Sequence, residues 1–547
     1  MQWFGNLVTA AWWSALWLQE GFATYWPYIF LGSTYPSLVP DGDWRLSTQG
    51  AMEDDGYANA QALTAGTPIV SSGESYAVFG SITYDKGAAV VAAISRRVEA
   101  VTPGSFIGGL QVYLTARSYA AAQPIDLIGA LAAGAGVPNL GAEFNAQLFL
   151  PGVPLLRAEV GTSGQGLSLS VTRFFVCPES AATAAAAGQA LTPWSALPLT
   201  ISAATPSSAL SAAAAAAAAA LAGSIGGTAL PAVLPYDPAA DGWIVVTAGA
   251  PTDYVRVLYP PVVYSALGAA LAGGAPPTAL GVGARAALVD DLFAAAEART
   301  TWSSSGIGSN VNMSFALAWA ASWIGSEANA YVRASLSSRL RRLQQLLVDD
   351  VPLANCGDPA VVPRAAVPGT DAFTCLAALR AYATVVGTPL NLPTTNRTAL
   401  AASLVAPLDA ANASNVLLGI AANPFGRDIA WAAFRSATPT WLGWYGYRST
   451  LGGIARGLAV NFHSAEYASD EAVLWEGLGA QASAAAGSWQ RGVERITAGA
   501  GWAAADYTAT CAFLESNWGA SESGDAGLPT DASVGVLPVD LPVWEEM

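Results

Sequence analysis

Residues 1–23 read MQWFGNLVTAAWWSALWLQEGFA, a segment rich in tryptophan and other apolar residues. From residue 11 onward, apolar and aromatic residues recur at the helical period, so we expect a helix over residues 11–27 that ends at Pro27. Glu20 is the one charged residue in that segment. A lone carboxylate on a helix usually faces solvent, and this is the default interpretation of Glu20 from the segment alone.

The composition of the whole chain limits its partners. The 547 residues are enough for roughly three domains. Hydrophobic residues make up 53% and charged residues 11%, and the formal net charge is −16. Nucleic acid and anionic membrane surfaces require a basic face, so the charge argues against both as main partners. An acidic protein instead suits cationic ligands, including peptides with a free amino terminus.

Two further features exclude common classes of protein. The longest apolar run, residues 209–222, is nearly all alanine and is shorter than the ~20 apolar residues that a bilayer requires, so we predict no membrane span. We interpret this run as a helical or disordered insertion.

The four cysteines are too few and too scattered for a disulfide framework or a zinc ribbon, so we expect buried or free thiols. Cys356 and Cys375 would be the pair to form a disulfide if the protein were secreted.

The pattern of apolar and polar residues changes twice along the chain. Helical patterns dominate up to residue 153, for example at 82–100. Residues 154–262 instead contain short alternating segments that indicate strands, which we expect to form a small β-sandwich carrying the alanine run in a loop. Residues 263–547 return to helical patterns separated by Pro, Gly or Asn, which favour stacked helices in a solenoid-like superhelix. The fold class is therefore mainly α with a β-sandwich.

The opening residues are similar to one known family. Residues 2–9, Q-W-F-G-N-L-V-T, and the later W-L-Q-E-G-F-A around Glu20 resemble the gluzincin aminopeptidases, the family of aminopeptidase N and the puromycin-sensitive aminopeptidase. In that family an H-E-x-x-H helix runs directly into Q-W-F-G-N-L-V-T, and a glutamate 19 positions after the second histidine completes a zinc site. Met1 stands at the position of that second histidine. The resemblance thus implies one Zn²⁺ in the complete protein, with Glu20 as a ligand.

A second motif contains Tyr84, which lies 64 positions after Glu20. Residues 82–90, I-T-Y-D-K-G-A-A-V, resemble the family segment whose tyrosine donates a hydrogen bond to the oxyanion of the tetrahedral intermediate. The resemblance assigns this role to Tyr84, because a fixed phenol donor stabilises charge that develops in the transition state. The alternative interpretation is a half-buried tyrosine with its hydroxyl at the surface.

Weaker similarities continue through most of the chain. They occur at residues 243–246, 254–259, 285–293 and 423–431, and only residues 160–240 match the family poorly. The resemblance therefore implies three domains: part of a thermolysin-like catalytic domain at 1–153, a β-sandwich at 154–262 and a helical superhelix at 263–547. We interpret Asp290 and Asp291 as a solvated helix face, and Asp54 and Asp55 as a polar turn.

The chain lacks part of what the family requires. His463 is the one histidine in the sequence and is remote from the motif, so no H-E-x-x-H is present. We therefore expect a fragment of a zinc aminopeptidase, which releases amino-terminal residues from peptides, and expect it to bind zinc weakly and catalyse little alone. The alternative is a non-catalytic peptide-binding or scaffold protein derived from the same family.

Overall fold

The computed structural model of the protein describes most of the chain. The residues described are 2–36, 41–66, 69, 75, 78–161, 166–223, 227–246, 254–273, 276, 280–303, 309–367, 369–390, 395–404, 410–445, 449–479 and 486–519. Met1, the residue at the expected histidine position, lies outside them. The chain forms two compact units, Met1–Arg339 with Val386–Thr388, and Leu340–Val385 with Pro389–Met547. The three-domain division stays a prediction.

Helices dominate the structure, which confirms the mainly α class. In the amino-terminal part they are Trp17–Thr34, Asp41–Asp54, Gly87–Val101, Ser105–Ala116, Pro124–Ala135, Leu140–Glu143 and Asn145–Phe149. A π-helical turn, Ile82–Lys86, leads directly into Gly87–Val101. Two short strands, β1 (Val8–Ala10) and β2 (Ala120–Ala122), pair in parallel.

The predicted end of the first helix at Pro27 is wrong. The helix runs through Pro27 to Thr34, although proline removes one backbone hydrogen bond. Aromatic packing on both sides of the proline stabilises the continued helix. Tyr25 packs edge-on against Phe106 with ring centroids 5.9 Å apart, and Tyr28 stacks on Trp44 at 4.8 Å.

Strands occupy the region where the sequence indicates them. They are β3 (Pro154–Val160), β4 (Leu167–Arg173), β5 (Ala196–Leu197), β6 (Ile201–Ala203), β7 (Thr228–Ala229), β8 (Ala232–Leu234), β9 (Ile244–Val246) and β10 (Arg256–Leu258). One sheet has the order β10-β3-β4-β8, and β5–β7 and β6–β9 form separate pairs. Burial in β4 alternates along the strand, as the alternating sequence predicts. The packing of these sheets as a sandwich stays a prediction.

The alanine run is helical in the structure. Helix Ser208–Ala220 covers most of it, and the Ser207 hydroxyl caps its first turn by accepting from the Leu210 backbone N–H at 3.2 Å. The other helices up to residue 347 are Pro178–Ala186, Pro238–Asp241, Pro261–Ala272, Val282–Glu297, Met313–Ala321 and Ala330–Leu347.

The second unit contains helices and no strand among its described residues. Its helices are Asp371–Val385, Arg397–Ser403, Ala410–Ala422, Arg427–Ser436, Thr438–Tyr445, Ser449–Ala459, Ala465–Leu478 and Ala486–Trp518. A superhelical arrangement stays a prediction.

The expectation of unpaired thiols is wrong in part, because Cys375 and Cys511 form a disulfide across 136 residues, while Cys177 and Cys356 are free.

Asp290 and Asp291 are buried, so their interpretation as a solvated helix face is wrong. Each is at most 4% exposed within helix Val282–Glu297. Arg256 contacts Asp290 at 2.6 Å and Asp291 at 3.1 Å, and Arg45 contacts Asp291 at 3.0 Å. Both arginines are distant from the two aspartates in sequence. Their positive charges compensate the buried carboxylates.

None of the helices in the described ranges combines the length and the apolar character that crossing a bilayer requires.

Candidate active site

Glu20 is buried in the first helix of the structure. This helix, Trp17–Thr34, is called the glutamate helix below, and only 3% of the Glu20 surface is exposed. Burial raises the pKa of Glu20, and a hydrogen bond from the Tyr84 hydroxyl opposes that rise. The carboxylate therefore faces the protein interior, and the solvent-facing interpretation of Glu20 is wrong.

Tyr84 lies in the π-helical turn Ile82–Lys86, called the tyrosine turn below. Its hydroxyl donates a hydrogen bond to the Glu20 carboxylate. Burial raises the pKa of Tyr84 to about 12, and the charge of Glu20 adds to that rise. The structure thus brings together the two residues that the motifs single out, although 64 positions separate them.

Two glycines allow the glutamate helix and the tyrosine turn to come close. A Cβ on Gly21 would lie 3.0 Å from the backbone carbonyl carbon of Gly87. Gly21 follows Glu20 directly, and Gly87 follows the last residue of the tyrosine turn. Because neither glycine has a side chain, the two backbones touch beside the Glu20–Tyr84 pair.

A buried ion pair anchors the end of the tyrosine turn. The Lys86 ammonium donates to Asp55 at 2.7 Å and to the Gly152 carbonyl oxygen at 3.3 Å. Asp55 also accepts from the Gly152 N–H at 2.6 Å and from the Tyr254 hydroxyl at 3.2 Å. Asp55 and Lys86 are almost fully buried, so the expected polar turn at Asp54 and Asp55 is wrong for Asp55.

Sequence analysis missed Asp55 as part of this site. No motif contains it, and its neighbour Asp54 makes the pair look like an ordinary polar turn. The available signal was Lys86, a cation at the start of the apolar segment G-A-A-V-V-A-A. A lysine in such a position is buried only if a carboxylate pairs with it.

A second carboxylate lies beside Tyr84 in sequence. Burial raises the pKa of Asp85 to about 7, and the charge of Asp54 adds to the rise. Asp54 in turn accepts a hydrogen bond from the Ser81 hydroxyl at 2.6 Å. The tyrosine turn therefore carries an acidic group that titrates near neutral pH.

The residues that the structure describes do not form a zinc site by themselves. No group of three or more His, Cys, Asp or Glu side chains suited to a metal occurs within the ranges that the structure describes. Glu20 is a suitable ligand, but its partner is the phenol of Tyr84, which is not a usual zinc ligand. His463 belongs to the second unit, where its Nδ1 lies 3.2 Å from Asp350.

Comparison with known proteins gives matches in the amino-terminal part. Residues 1–145 match the peptidase family M1 domain. The chain is 38% identical over 146 residues to the membrane alanyl aminopeptidase of Manduca sexta, which covers 25% of this chain and 14% of that protein. It is 36% identical over 141 residues to aminopeptidase M1 of Arabidopsis thaliana, covering 25% of this chain and 15% of that protein.

A human protein gives a similar match. Endoplasmic reticulum aminopeptidase 1 of Homo sapiens is 32% identical over 131 residues, which is 24% of this chain and 13% of that protein. In each case the chain spans less than a fifth of the relative's length. The matched segment contains Glu20, the tyrosine turn and the Gly21–Gly87 contact. These matches show that residues 1–145 are similar to peptidase family M1, and they support the resemblance to the gluzincin aminopeptidases.

Proposed function

We propose that this chain is part of a zinc aminopeptidase that releases amino-terminal residues from peptides, with Glu20 as a zinc ligand and Tyr84 as a transition-state donor. The observation that carries the proposal is the hydrogen bond between the buried Glu20 and the half-buried Tyr84, which the two motifs single out independently. The names of the matched relatives, all aminopeptidases, support the same class of reaction.

The environment of Tyr84 suits a hydrogen-bond donor. With a pKa of about 12, its phenol remains protonated at neutral pH. A neutral donor held at a half-buried position can stabilise an oxygen that gains negative charge during peptide hydrolysis. Glu20 orients the hydroxyl, and the Gly21–Gly87 contact fixes the distance between the two supporting backbones. These residues position one side of a reaction site.

The metal would require ligands that the described residues do not provide. Catalytic zinc usually has three protein ligands, of which this chain supplies Glu20. We therefore propose that the two histidines belong to sequence outside this chain, with Met1 at the position of the second. The chain alone would then bind zinc weakly and hydrolyse little.

The substrate class follows from charge as well as from the family. An aminopeptidase binds a peptide through its free amino terminus, which is cationic at neutral pH. The net charge of −16 favours the approach of such a ligand. We therefore propose peptides as the partners.

Reading the transcript upstream of the Met1 codon tests the proposal. We expect the frame to continue through His-Glu-x-x and to encode histidine in place of Met1. The extended protein should bind one zinc and hydrolyse aminoacyl anilides. Glu20→Gln should lose the zinc, whereas Tyr84→Phe should retain it and lose about 10²–10³-fold in kcat.

A matched control shows whether the effect is specific to Tyr84 or follows from the loss of any tyrosine hydroxyl. Tyr119 is 89% exposed, so Tyr119→Phe should leave kcat unchanged. A stop codon in frame on a complete transcript would contradict the proposal. Saturable binding of peptides by such a complete chain, without hydrolysis, would establish the alternative of a non-catalytic peptide-binding protein.

A further inference from the structure

Two adjacent aspartates contact the two ends of the tyrosine turn. Asp54 is the last residue of its helix, and Asp55 follows it. The Asp54 carboxylate accepts a hydrogen bond at 2.6 Å from the hydroxyl of Ser81, the residue directly before the turn. The Asp55 carboxylate accepts at 2.7 Å from the ammonium of Lys86, the last residue of the turn. Tyr84 lies between these two contacts.

The stability of the helix itself does not explain the two aspartates. The carboxyl end of a helix carries partial negative charge, so a carboxylate placed there is unfavourable for the helix. Asp54 and Asp55 nevertheless stand at that end, and Asp55 is fully buried. Their contacts with the residues on either side of Tyr84 therefore give these carboxylates a role outside their own helix.

The form of the tyrosine turn decides where Tyr84 points. The turn is π-helical, because the Gly87 N–H donates to the carbonyl oxygen of Ile82, five positions earlier. Such turns are rare and occur mostly as single turns within longer helices. In a helix each residue rotates the next side chain by about 100°, so an α-helical turn at this place would direct the Tyr84 hydroxyl away from Glu20. Contacts that hold both ends of the turn keep it in the wider form.

The contact between Asp55 and Lys86 is buried on both sides. Taking two charges out of water costs free energy that their attraction barely recovers, so such a pair adds little stability compared with apolar residues of the same size. Each charge must nevertheless keep its partner, because a buried charge left alone is strongly unfavourable. The pair therefore restricts where the end of the tyrosine turn can lie.

We propose that Asp55 and Lys86 are positioning residues for Tyr84, and that the contact of Asp54 with Ser81 holds the other end of the same turn. The inference rests on the proposed role of Tyr84 as a transition-state donor. Neither Asp55 nor Lys86 would touch the substrate; both act by keeping the Tyr84 hydroxyl directed at the Glu20 side of the site.

The same network extends the site beyond the segment that matches the peptidase domain. Asp55 also accepts from the Gly152 N–H at 2.6 Å and from the Tyr254 hydroxyl at 3.2 Å. Gly152 precedes β3 and Tyr254 precedes β10, and these strands pair in parallel. Both residues lie outside residues 1–145. The position of the tyrosine turn therefore depends on the sheet that follows it in the chain.

NMR at neutral pH tests the proposal on the purified chain, with tyrosine labelled at the ring carbon that bears the hydroxyl. Tyr84→Phe assigns the signal, and Glu20→Met removes the acceptor and so gives the position of the signal without this hydrogen bond. Asp55→Asn combined with Lys86→Met removes one charge of each sign and leaves the net charge unchanged. We expect the Tyr84 signal of this double variant to move at least half of the way to its position in Glu20→Met.

The matched control is Arg97→Met combined with Glu143→Gln. Arg97 lies on the helix that follows the turn and binds Glu143 at 2.7 Å, and both side chains are buried. This double variant removes a buried pair of the same kind from the same unit, so a general loss of stability would affect it alike. We expect its Tyr84 signal to stay at the parent position. An equal shift in both double variants would overturn the proposal.

Near-ultraviolet circular dichroism shows whether each variant retains its tertiary packing. In a folded Asp55→Asn, Lys86→Met double variant, an unmoved Tyr84 signal would overturn the proposal. Should that variant not fold, Ser81→Ala decides, because it removes the hydroxyl bound to Asp54 without leaving a charge buried and unpaired. We expect a smaller shift in the same direction, and an unmoved signal would then overturn the proposal.

Activity gives a second measurement on the extended enzyme. The Asp55→Asn, Lys86→Met double variant should lower kcat about tenfold or more and leave KM unchanged, because a displaced donor is missed mainly in the transition state. The NMR result requires neither zinc nor hydrolysis. A shifted Tyr84 signal in an extended protein that hydrolyses no peptide would support the positioning role and contradict the proposed function, so the two can fail separately.

Discussion

Gly21 and Gly87 meet backbone to backbone where the glutamate helix crosses the start of the helix Gly87–Val101. A Cβ on Gly21 would lie 3.0 Å from the Gly87 carbonyl carbon, and a Cβ on Gly87 would lie 3.1 Å from the Gly21 Cα. Glu20 and the tyrosine turn adjoin these glycines in sequence. The close approach of two backbones therefore sets the distance at which the Tyr84 hydroxyl reaches the Glu20 carboxylate.

Replacing either glycine should separate the two backbones. We expect Gly21→Ala or Gly87→Ala to lower the free energy of unfolding by about 1–3 kcal/mol, because the added methyl group meets backbone rather than a movable side chain. Urea denaturation measures this change. A Cβ on Gly108, in helix Ser105–Ala116, would have no neighbouring atom within 4 Å, so Gly108→Ala should be neutral or stabilising. Equal destabilisation at Gly21 and Gly108 would contradict this account.

Removing the charge of Glu20 should lower the pKa of Tyr84. Burial and the Glu20 carboxylate together raise that pKa to about 12. Glu20→Gln retains the size of the side chain and removes the charge, so the pKa should fall without reaching its ordinary value, because burial remains. NMR of ring-labelled tyrosine follows the titration, with Tyr84→Phe assigning the signal. An unchanged Tyr84 titration in Glu20→Gln would show that the two groups do not interact.

The candidate pair was predictable because the motifs that resemble the family are short, local segments of sequence. Glu20 lies inside a dense aromatic pattern, and Tyr84 lies inside a nine-residue motif. The strands β3 and β4 were predictable for the same reason, since alternation of apolar residues is read from consecutive positions.

The buried charges could not be predicted in the same way. Asp55 pairs with Lys86, 31 positions later, and Asp291 pairs with Arg45, 246 positions earlier. A carboxylate has the same local sequence whether it faces water or a buried guanidinium, so only the folded chain distinguishes the two states. The continuation of the first helix through Pro27 also depends on aromatic partners outside the helix, such as Phe106.

Asp85 should make the stability of the first unit depend on pH. Its pKa rises from the ordinary value of 3.8 to about 7 in the folded protein. Between these two pKa values, the unfolded chain releases the Asp85 proton and the folded chain retains it. The contribution of Asp85 to the free energy of unfolding is therefore full below about pH 4 and is lost as the pH rises through 7. The loss should be on the order of 2 kcal/mol, reduced by partial exposure to solvent.

Two variants test this pH dependence by urea denaturation from pH 4 to 8. Asp85→Asn should remove it, because the amide does not titrate. Asp54→Asn removes the charge that adds to the shift, so the loss should become smaller and move to lower pH. Denaturation curves of Asp85→Asn with the same pH dependence as the parent would contradict the prediction.

The disulfide between Cys375 and Cys511 should account for much of the stability of the second unit. It joins residues 136 positions apart, and closing so long a loop restricts the unfolded chain strongly. Cys375→Ala with Cys511→Ala should lower the free energy of unfolding by about 3–5 kcal/mol. Cys177→Ser is the matched control, because the new serine hydroxyl can still accept a hydrogen bond from the Ser180 N–H at the start of the helix. Titration of thiols in the denatured, unreduced protein should find two per chain, Cys177 and Cys356; four would show that the disulfide does not form.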